Sequence, residues 1–292
     1  MEKIVRMAAG LANRMLQYSY YVYLRKQGFD AYVDNNYRAR KWKMEDVEWD
    51  RIFPNAPIRQ APSNIIFKYG GGYSFIDKIR RKYLPILTRV CSKDTVEIPT
   101  TKELEDYGYF IGVMQDAKIA ETVKKELYKL FEFSPFDVNS KNAELEREMK
   151  SHNSVSLHLR RGKDYLENVK FHNTCTSDYY EQAIKMIKEQ IPNPIFYVFT
   201  DNPDWVKNNF KNYDYILVEG NPSIGWGNHY DMQLMSCCKH NIIANSTYSW
   251  WGAFLNPNPN KIVITPRYWF NPEILEYRNK PNNMVCENWI VI

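Results

Sequence analysis

From residue 153 onward the chain alternates apolar runs of strand length with amphipathic stretches of helical period, and few folds accept that alternation. Ser154 to Leu159, Ile195 to Phe199, Tyr215 to Val218, Ile242 to Ala244 and Ile262 to Ile264 read as five strands. Between the first two, Ser177 to Glu189 sets Tyr180, Ala183, Ile184 and Ile187 on one helical face. Thr200-Asp201-Asn202-Pro203 then has the form of a helix start. Strands separated by helices pair in parallel, so this half is predicted as a doubly wound sheet, Rossmann-like but without the G-x-G-x-x-G fingerprint.

The first of these strands carries an unusual polar row. Val155, Leu157 and Leu159 fall on one side of a period-two pattern, and Ser156, His158 and Arg160 on the other. Burying an unpaired cation costs several kcal/mol, so Arg160 calls for an anion, from an internal carboxylate or from a ligand. The planar guanidinium suits phosphate oxygens, and open α/β sheets take ligands beyond the carboxyl ends of their strands. On the internal reading, Arg160 pairs with an acid and Arg161 is merely solvated. The fourth strand empties into Asn245-Ser246-Thr247-Tyr248-Ser249, ahead of a helix expected near Trp250. Three serine and threonine hydroxyls and a helix N-terminus suit a phosphate; a plain serine or threonine cap explains only one of these hydroxyls.

Residues 3 to 34 read as a β-α-β unit: strand Lys3 to Met7, small-residue loop Ala8 to Ala12, helix Asn13 to Lys26 capped by Asn13, and a strand from Phe29. Farther on, Asp106 to Ile111 is expected as a strand, Asp116 to Phe131 as a helix, and Lys141 to Ser151 as a linker or interdomain helix. The expected division is therefore an N-terminal Rossmann-like domain over 1–150, a C-terminal one over 151–275, and a tail over 276–292 packing back on the first. A chain of 292 residues fits two such domains, and 44% apolar with 25% charged residues excludes disorder on a large scale.

A net charge of +5 favours anionic ligands in general. The basic run Lys78 to Tyr83 fits a solvated face best and leaves contact with an anionic membrane surface or nucleic acid open. No apolar run reaches bilayer length, and the start does not resemble a signal peptide. Five scattered cysteines suggest neither disulfides nor a zinc site, so the expected location is cytoplasmic.

Four segments carry a resemblance. Gly10 to Tyr18 is similar to the G-L-G-N-Q-M-F-Q-Y opening of bacterial α-1,2-fucosyltransferases. His158 to Tyr165 resembles that family's H-x-R-R-G-D-Y signature, and Asp231 to Ser236 with Asn241 to Ala253 resembles its third block nearly residue for residue. Tyr107 to Phe110 is a fainter match. The resemblance implies an α/β GT-B glycosyltransferase whose two Rossmann-like domains face each other across a cleft. GDP-fucose would be bound mainly by the second domain, with a β-galactoside acceptor against the first. It also implies that Arg160 clasps the β-phosphate and His158 lies beside the nucleotide. Asp231 would read the guanine edge and Ser246 and Thr247 would hold phosphate oxygens, with Asn13 reaching the diphosphate. Gly10, Arg161, Thr200, Asn245 and Ser249 complete the expected donor set. Two loop positions depart from the pattern, Ala12 for glycine and Arg14 for glutamine, and Lys163 is inserted before Asp164.

The implied reaction is inverting transfer of L-fucose from GDP-β-L-fucose to a galactoside 2-hydroxyl. No acidic D-x-D cluster stands in the sequence, so no metal and no other cofactor is expected. Asp164 is the nearest carboxylate for a base, or else pairs with Arg161 and orders its loop. His158 fits a satisfied buried histidine as well as a ligand contact. Tyr109, Trp226 and His229 are weaker acceptor-side or lid candidates that aromatic packing explains equally. A transferase for another GDP-sugar and a non-catalytic glycan-binding module are the rivals. Nucleic acid is disfavoured because the cations stand on separate strand ends instead of forming a stripe.

Overall fold

The computed structural model describes residues 2–35, 48–70, 75–84, 89–93, 98–172, 174–278 and 280–292, together with every side chain among them except that of Asp164. The chain divides into two units, Met1–Glu132 and Phe133–Ile292. Each is built on its own sheet.

In the first unit, β1 (Lys3–Arg6), β2 (Ala31–Asp34), β3 (Val90–Ser92) and β4 (Tyr109–Ile111) lie in the order β2-β1-β4-β3, every pair parallel. The helix Leu11–Lys26 begins earlier than expected: Gly10 is its N-cap, and Asn13 stands inside the first turn without capping it. Leu11 and Ala12 are already buried, so the apolar face that drives the helix onto the sheet starts there. Asp106, expected to open a strand, instead ends the helix Thr101–Asp106, which Thr100 and Glu103 start with a reciprocal capping box. The strand then runs only from Tyr109. The expected helix from Asp116 breaks at Val123 into Ala117–Thr122 and Lys124–Leu130, with Asp116 as cap of the first piece.

The second unit contains β5 (Ser154–Leu159), β6 (Ile195–Thr200), β7 (Ile216–Leu217), β8 (His240–Ile242), β9 (Val263–Thr265) and β10 (Ile290–Val291). They lie in the order β10-β9-β8-β5-β6-β7, all parallel. Counted from β5, this is the 3-2-1-4-5-6 order of a doubly wound dinucleotide fold. Two expectations are corrected here. Lys141–Ser151 is not a linker: its Leu145 and Met149 join Tyr197, Phe199, Leu234 and Met235 in one core cluster of the second unit, so the division falls before it. The C-terminal tail supplies β10, the edge strand of this same sheet, instead of an addition to the first unit.

The period-two reading of β5 holds, with Val155, Leu157 and Leu159 packed against Tyr179, Tyr180, Ala183, Ile184 and Ile187. Ser156 and His158 of its polar row are buried too, since helices cover both faces of a parallel sheet. Asn241 Nδ2 meets Ser156 by donating to its Oγ at 2.7 Å. The helix Thr247–Leu255 is apolar almost all round and sinks into this core, with Trp250 and Trp251 fully buried. It meets the helix Tyr230–Cys237 through Gly252, where an added Cβ would stand 2.6 Å from Met235 Cβ. Gly252→Ala is therefore expected to lower the melting temperature. The overlap costs about 1–3 kcal/mol, more than the roughly 1 kcal/mol that alanine gains in helix propensity. An unchanged melting curve would show that the two helices separate freely.

Candidate active site

Strand register brings the chemistry together. Leu157 pairs with Ile242 on β8, and Leu159 with Thr200 on β6. Counting on from those pairs, Arg160, Asp201 and Asn245 leave three adjacent strands at one level, with neighbouring strands about 4.8 Å apart. The connectivity reverses direction between β5 and β8, and crevices at such points are where open parallel sheets take ligands. Arg160 and the Ser246 turn flank that point.

The two arginines have different surroundings. Arg160 is half-buried, its guanidinium 5.0 Å from the ring centre of Phe171 and 5.3 Å from that of Tyr165. These two rings stack on each other and hold a flat apolar floor beneath it. Arg161 departs from the reading of a solvated cation. It is buried and donates to the carbonyls of Arg160 and Cys175, each at 2.9 Å, while its guanidinium lies 4.8 Å from the Trp205 ring. Its backbone N–H donates to Asp201 Oδ1 at 2.6 Å, and its carbonyl accepts from Asn202 Nδ2 at 2.9 Å. Arg161 thus ties the ends of β5 and β6 into one loop, beside the half-buried Arg160.

His158 stands one turn of the strand pattern before Arg160. It is buried, and its Nδ1 has no hydrogen-bond partner among the described residues. Burial first, and then the charges of Arg160 and Arg161, push its pKa down to about 3, so the ring is neutral at physiological pH. A buried ring nitrogen left open beside a cation is a place for a ligand's polar atom.

The hydroxyl-rich turn is partly committed to its own helix. Ser246 Oγ accepts the Tyr248 N–H at 3.3 Å, a plain N-cap, and Ser249 Oγ donates to the Ser246 carbonyl at 3.3 Å from a fully buried position. Asn245 is turned inward, its Nδ2 donating to the Trp269 carbonyl at 3.0 Å and its Oδ1 accepting from Cys175 Sγ at 3.5 Å. Asn245 and Ser249 therefore build the turn instead of lining its outer side, because the buried helix start needs its polar groups satisfied. Thr247 is half-buried at the first helical position. Lys261 Nζ donates to the carbonyls of Ala253, Phe254 and Asn256 at the other end, so the helix dipole is closed at its C-terminus and its positive end points to the crevice. Thr200 Oγ1 accepts the Asn202 N–H at 3.1 Å.

Asp231 lies in the first turn of Tyr230–Cys237, where burial raises its pKa and a hydrogen bond from Asn221 Nδ2, 2.7 Å from Oδ1, opposes the rise. Asn221 Oδ1 accepts in turn from Asn142 Nδ2 at 2.8 Å, and this fixes the Asn221 amide so that its nitrogen faces the acid. The sequence reading missed Asn221, Asn142 and Asp201. Only Asp201 carried a local signal, as part of a helix-start run. The Asp164 side chain lies outside the described residues; its backbone belongs to the short helix Lys163–Leu166. In the first unit, Gly10 is exposed with open space where a Cβ would stand, and Asn13 is half-buried in the helix's first turn. Arg14 is buried, and its Nε donates to the carbonyl of Ala9 at 3.2 Å, where the backbone is left-handed (φ 72°). Tyr109 is fully buried and donates to Asp34 Oδ2 at 2.6 Å, which removes it from the acceptor candidates. His229 is likewise a packed ring, stacked on Phe133 and in contact with Trp226 and Tyr230. Among the described residues no group of three or more His, Cys, Asp and Glu side chains is placed to hold a metal ion, and no helix is long and apolar enough to cross a membrane.

Two all-parallel Rossmann-like units in one α/β chain define the GT-B class of glycosyltransferases. Residues 73–292 match the model of glycosyl transferase family 11, and the chain belongs to that family. An Escherichia coli α-1,2-colitosyltransferase is 32% identical over 298 residues, covering 93% of each chain. The O-antigen biosynthesis glycosyltransferase WbnK of Escherichia coli is 43% identical over 141 residues, 47% of this chain and 44% of its own. Among solved structures, Arabidopsis thaliana FUT1 in complex with GDP shares the fold with a TM-score of 0.50 at 14% identity, over 90% of this chain and 69% of its own. The protein is therefore a glycosyltransferase of a family whose members transfer sugars in α-1,2 linkage.

Proposed function

We propose that this enzyme transfers L-fucose from GDP-β-L-fucose to the 2-hydroxyl of a β-galactoside, with inversion at the anomeric carbon. The observation that carries the reading is the pairing of Arg160 with the N-terminus of Thr247–Leu255 on adjacent strands at the sheet's switch point. As the bond to the diphosphate breaks, negative charge grows on the leaving oxygen. The Arg160 guanidinium, the Thr247 hydroxyl and the positive helix end stabilise that charge more than they stabilise the bound donor. Neutral His158 offers its open Nδ1 to the same group. The Asp231 carboxylate accepts from guanine N1–H and the 2-amino group, with Asn221 holding its orientation. In this reading the first unit carries the acceptor side. Asp164 is either the base that takes the acceptor proton or the partner that orders its loop. The dissociative transition state needs little help from a strong base.

A second reading replaces fucose by colitose, which is L-fucose without its 3-hydroxyl. It is favoured by the 32% identical relative named for that sugar. Both readings share the guanine and diphosphate contacts. GDP at a hundredfold excess over its Kd is expected to stabilise the protein by about 2.7 kcal/mol in thermal melting, with ADP inert. Supplying GDP-fucose or GDP-colitose with a panel of galactosides, and mapping the linkage of any product, separates the two. No transfer from either donor would sink the proposal, and equal stabilisation by ADP would remove Asp231 from it.

A further inference from the structure

The helix Phe75–Tyr83 of the first unit is mounted the wrong way round for a helix packed on a water-soluble protein. Its apolar residues are the exposed ones: Phe75 is 76% exposed, Ile76 64%, Ile79 42% and Tyr83 66%. At helical spacing these four fall within one arc of about 100°. Leu84 follows at the helix end, and Phe67 from the preceding helix Ser63–Lys68 is exposed beside it. The opposite side is polar and turned inward, where Asp77 is buried and Arg81 Nη1 donates to the Gly70 carbonyl. Apolar side chains scattered singly over a surface are ordinary, but a contiguous stripe marks a contact surface.

The borders of the stripe state what it contacts. Lys78 and Lys82 line one edge, both exposed, and Arg80 lines the other, its guanidinium 4.0 Å from the Phe67 ring. The helix's one acid, Asp77, sits on the inward side, 3.6 Å from Arg80. We propose that this helix docks the enzyme on an anionic lipid bilayer, with the Phe75, Ile76, Ile79 and Tyr83 side chains entering the headgroup–acyl boundary and Lys78 and Lys82 meeting acidic headgroups. A short helix with an apolar stripe and cationic borders is the form that lies in the plane of a bilayer interface. A second copy of the chain fits less well, because a two-fold contact through this stripe sets lysine borders against each other.

The test is sedimentation of the full chain with vesicles of phosphatidylcholine and phosphatidylglycerol in equal parts, beside vesicles of phosphatidylcholine alone. The chain is expected to pellet with the acidic vesicles and to release as salt is raised. Phe75→Ser with Ile79→Ser should lower the partition coefficient at least about tenfold. Lys78→Glu and Lys82→Glu should each lower it by about fivefold or more. Thermal melting of each variant checks that the fold is intact, and it does so whether or not the transferase reading stands. Equal pelleting with both vesicle types, or none with either, overturns the proposal. So does a wild-type dimer in sedimentation equilibrium that Ile79→Ser turns into monomers while vesicle binding is unchanged, an outcome that assigns the stripe to a second copy.

Discussion

Arg160→Ala is expected to lower kcat/KM for sugar transfer by about 10²–10³-fold, the usual effect of removing one group that stabilises developing anionic charge. The side chain leaves β5 beside the turn that starts Thr247–Leu255, so its loss removes a half-buried guanidinium from the switch point. The loop itself should survive, because Arg161 holds it through the carbonyls of Arg160 and Cys175 and through Asp201. An unchanged melting temperature in the absence of donor is therefore part of the expectation. Arg160→Lys keeps a charge but loses the planar fork that matches two phosphate oxygens, and it should recover only part of the rate. Near-normal transfer by Arg160→Ala would mean that the leaving group is stabilised elsewhere.

Asp231→Asn should weaken GDP binding by about 3 kcal/mol, roughly 10²-fold, since an amide can accept only one of two charge-assisted bonds and opposes the other with its own donor. The same residue sets a pH dependence. Burial raises the Asp231 pKa in the free protein, and guanine's donors favour the carboxylate, so the pKa in the complex is lower than in the free enzyme. Affinity is then flat above the free-enzyme pKa and falls as pH drops below it, until the pKa of the complex is reached. The fall starts at a higher pH than an ordinary aspartate would give. Asp231→Asn should abolish this acid limb. Isothermal titration of GDP across that range checks both statements, and an acid limb surviving in Asp231→Asn would assign the proton to another group.

How far the chain could be read in advance varied by region. The period-two pattern of Ser154–Leu159 and the helical face of Ser177–Gln190 were visible because each is a long element facing a single core. Short elements were not. Ile290–Val291 is two residues long and exists as a strand only because β9 offers it a paired edge. Lys141–Ser151 was legible as a helix but not as part of a core, since three buried residues among many charges look like a linker until Tyr197 and Met235 are set against them. For the site, the residue types were visible and their duties were not. Arg160 and Arg161 are identical in sequence terms, as are Ser246 and Ser249. Which of each pair turns to its own backbone depends on neighbours such as Cys175 and Asp201 that stand far away along the chain.

Local pattern alone determined that the second half is a parallel α/β sheet and that cations and hydroxyls stand at its strand ends, because periodicity and capping act between residues close in sequence. Only the tertiary structure decided the strand order that sets β5 beside β8, the commitment of Arg161, Asn245 and Ser249 to the loop and turn, and the outward apolar face of Phe75–Tyr83. Each of those depends on which distant group occupies the space beside a residue. Strand pairing and burial settle that for the whole chain at once.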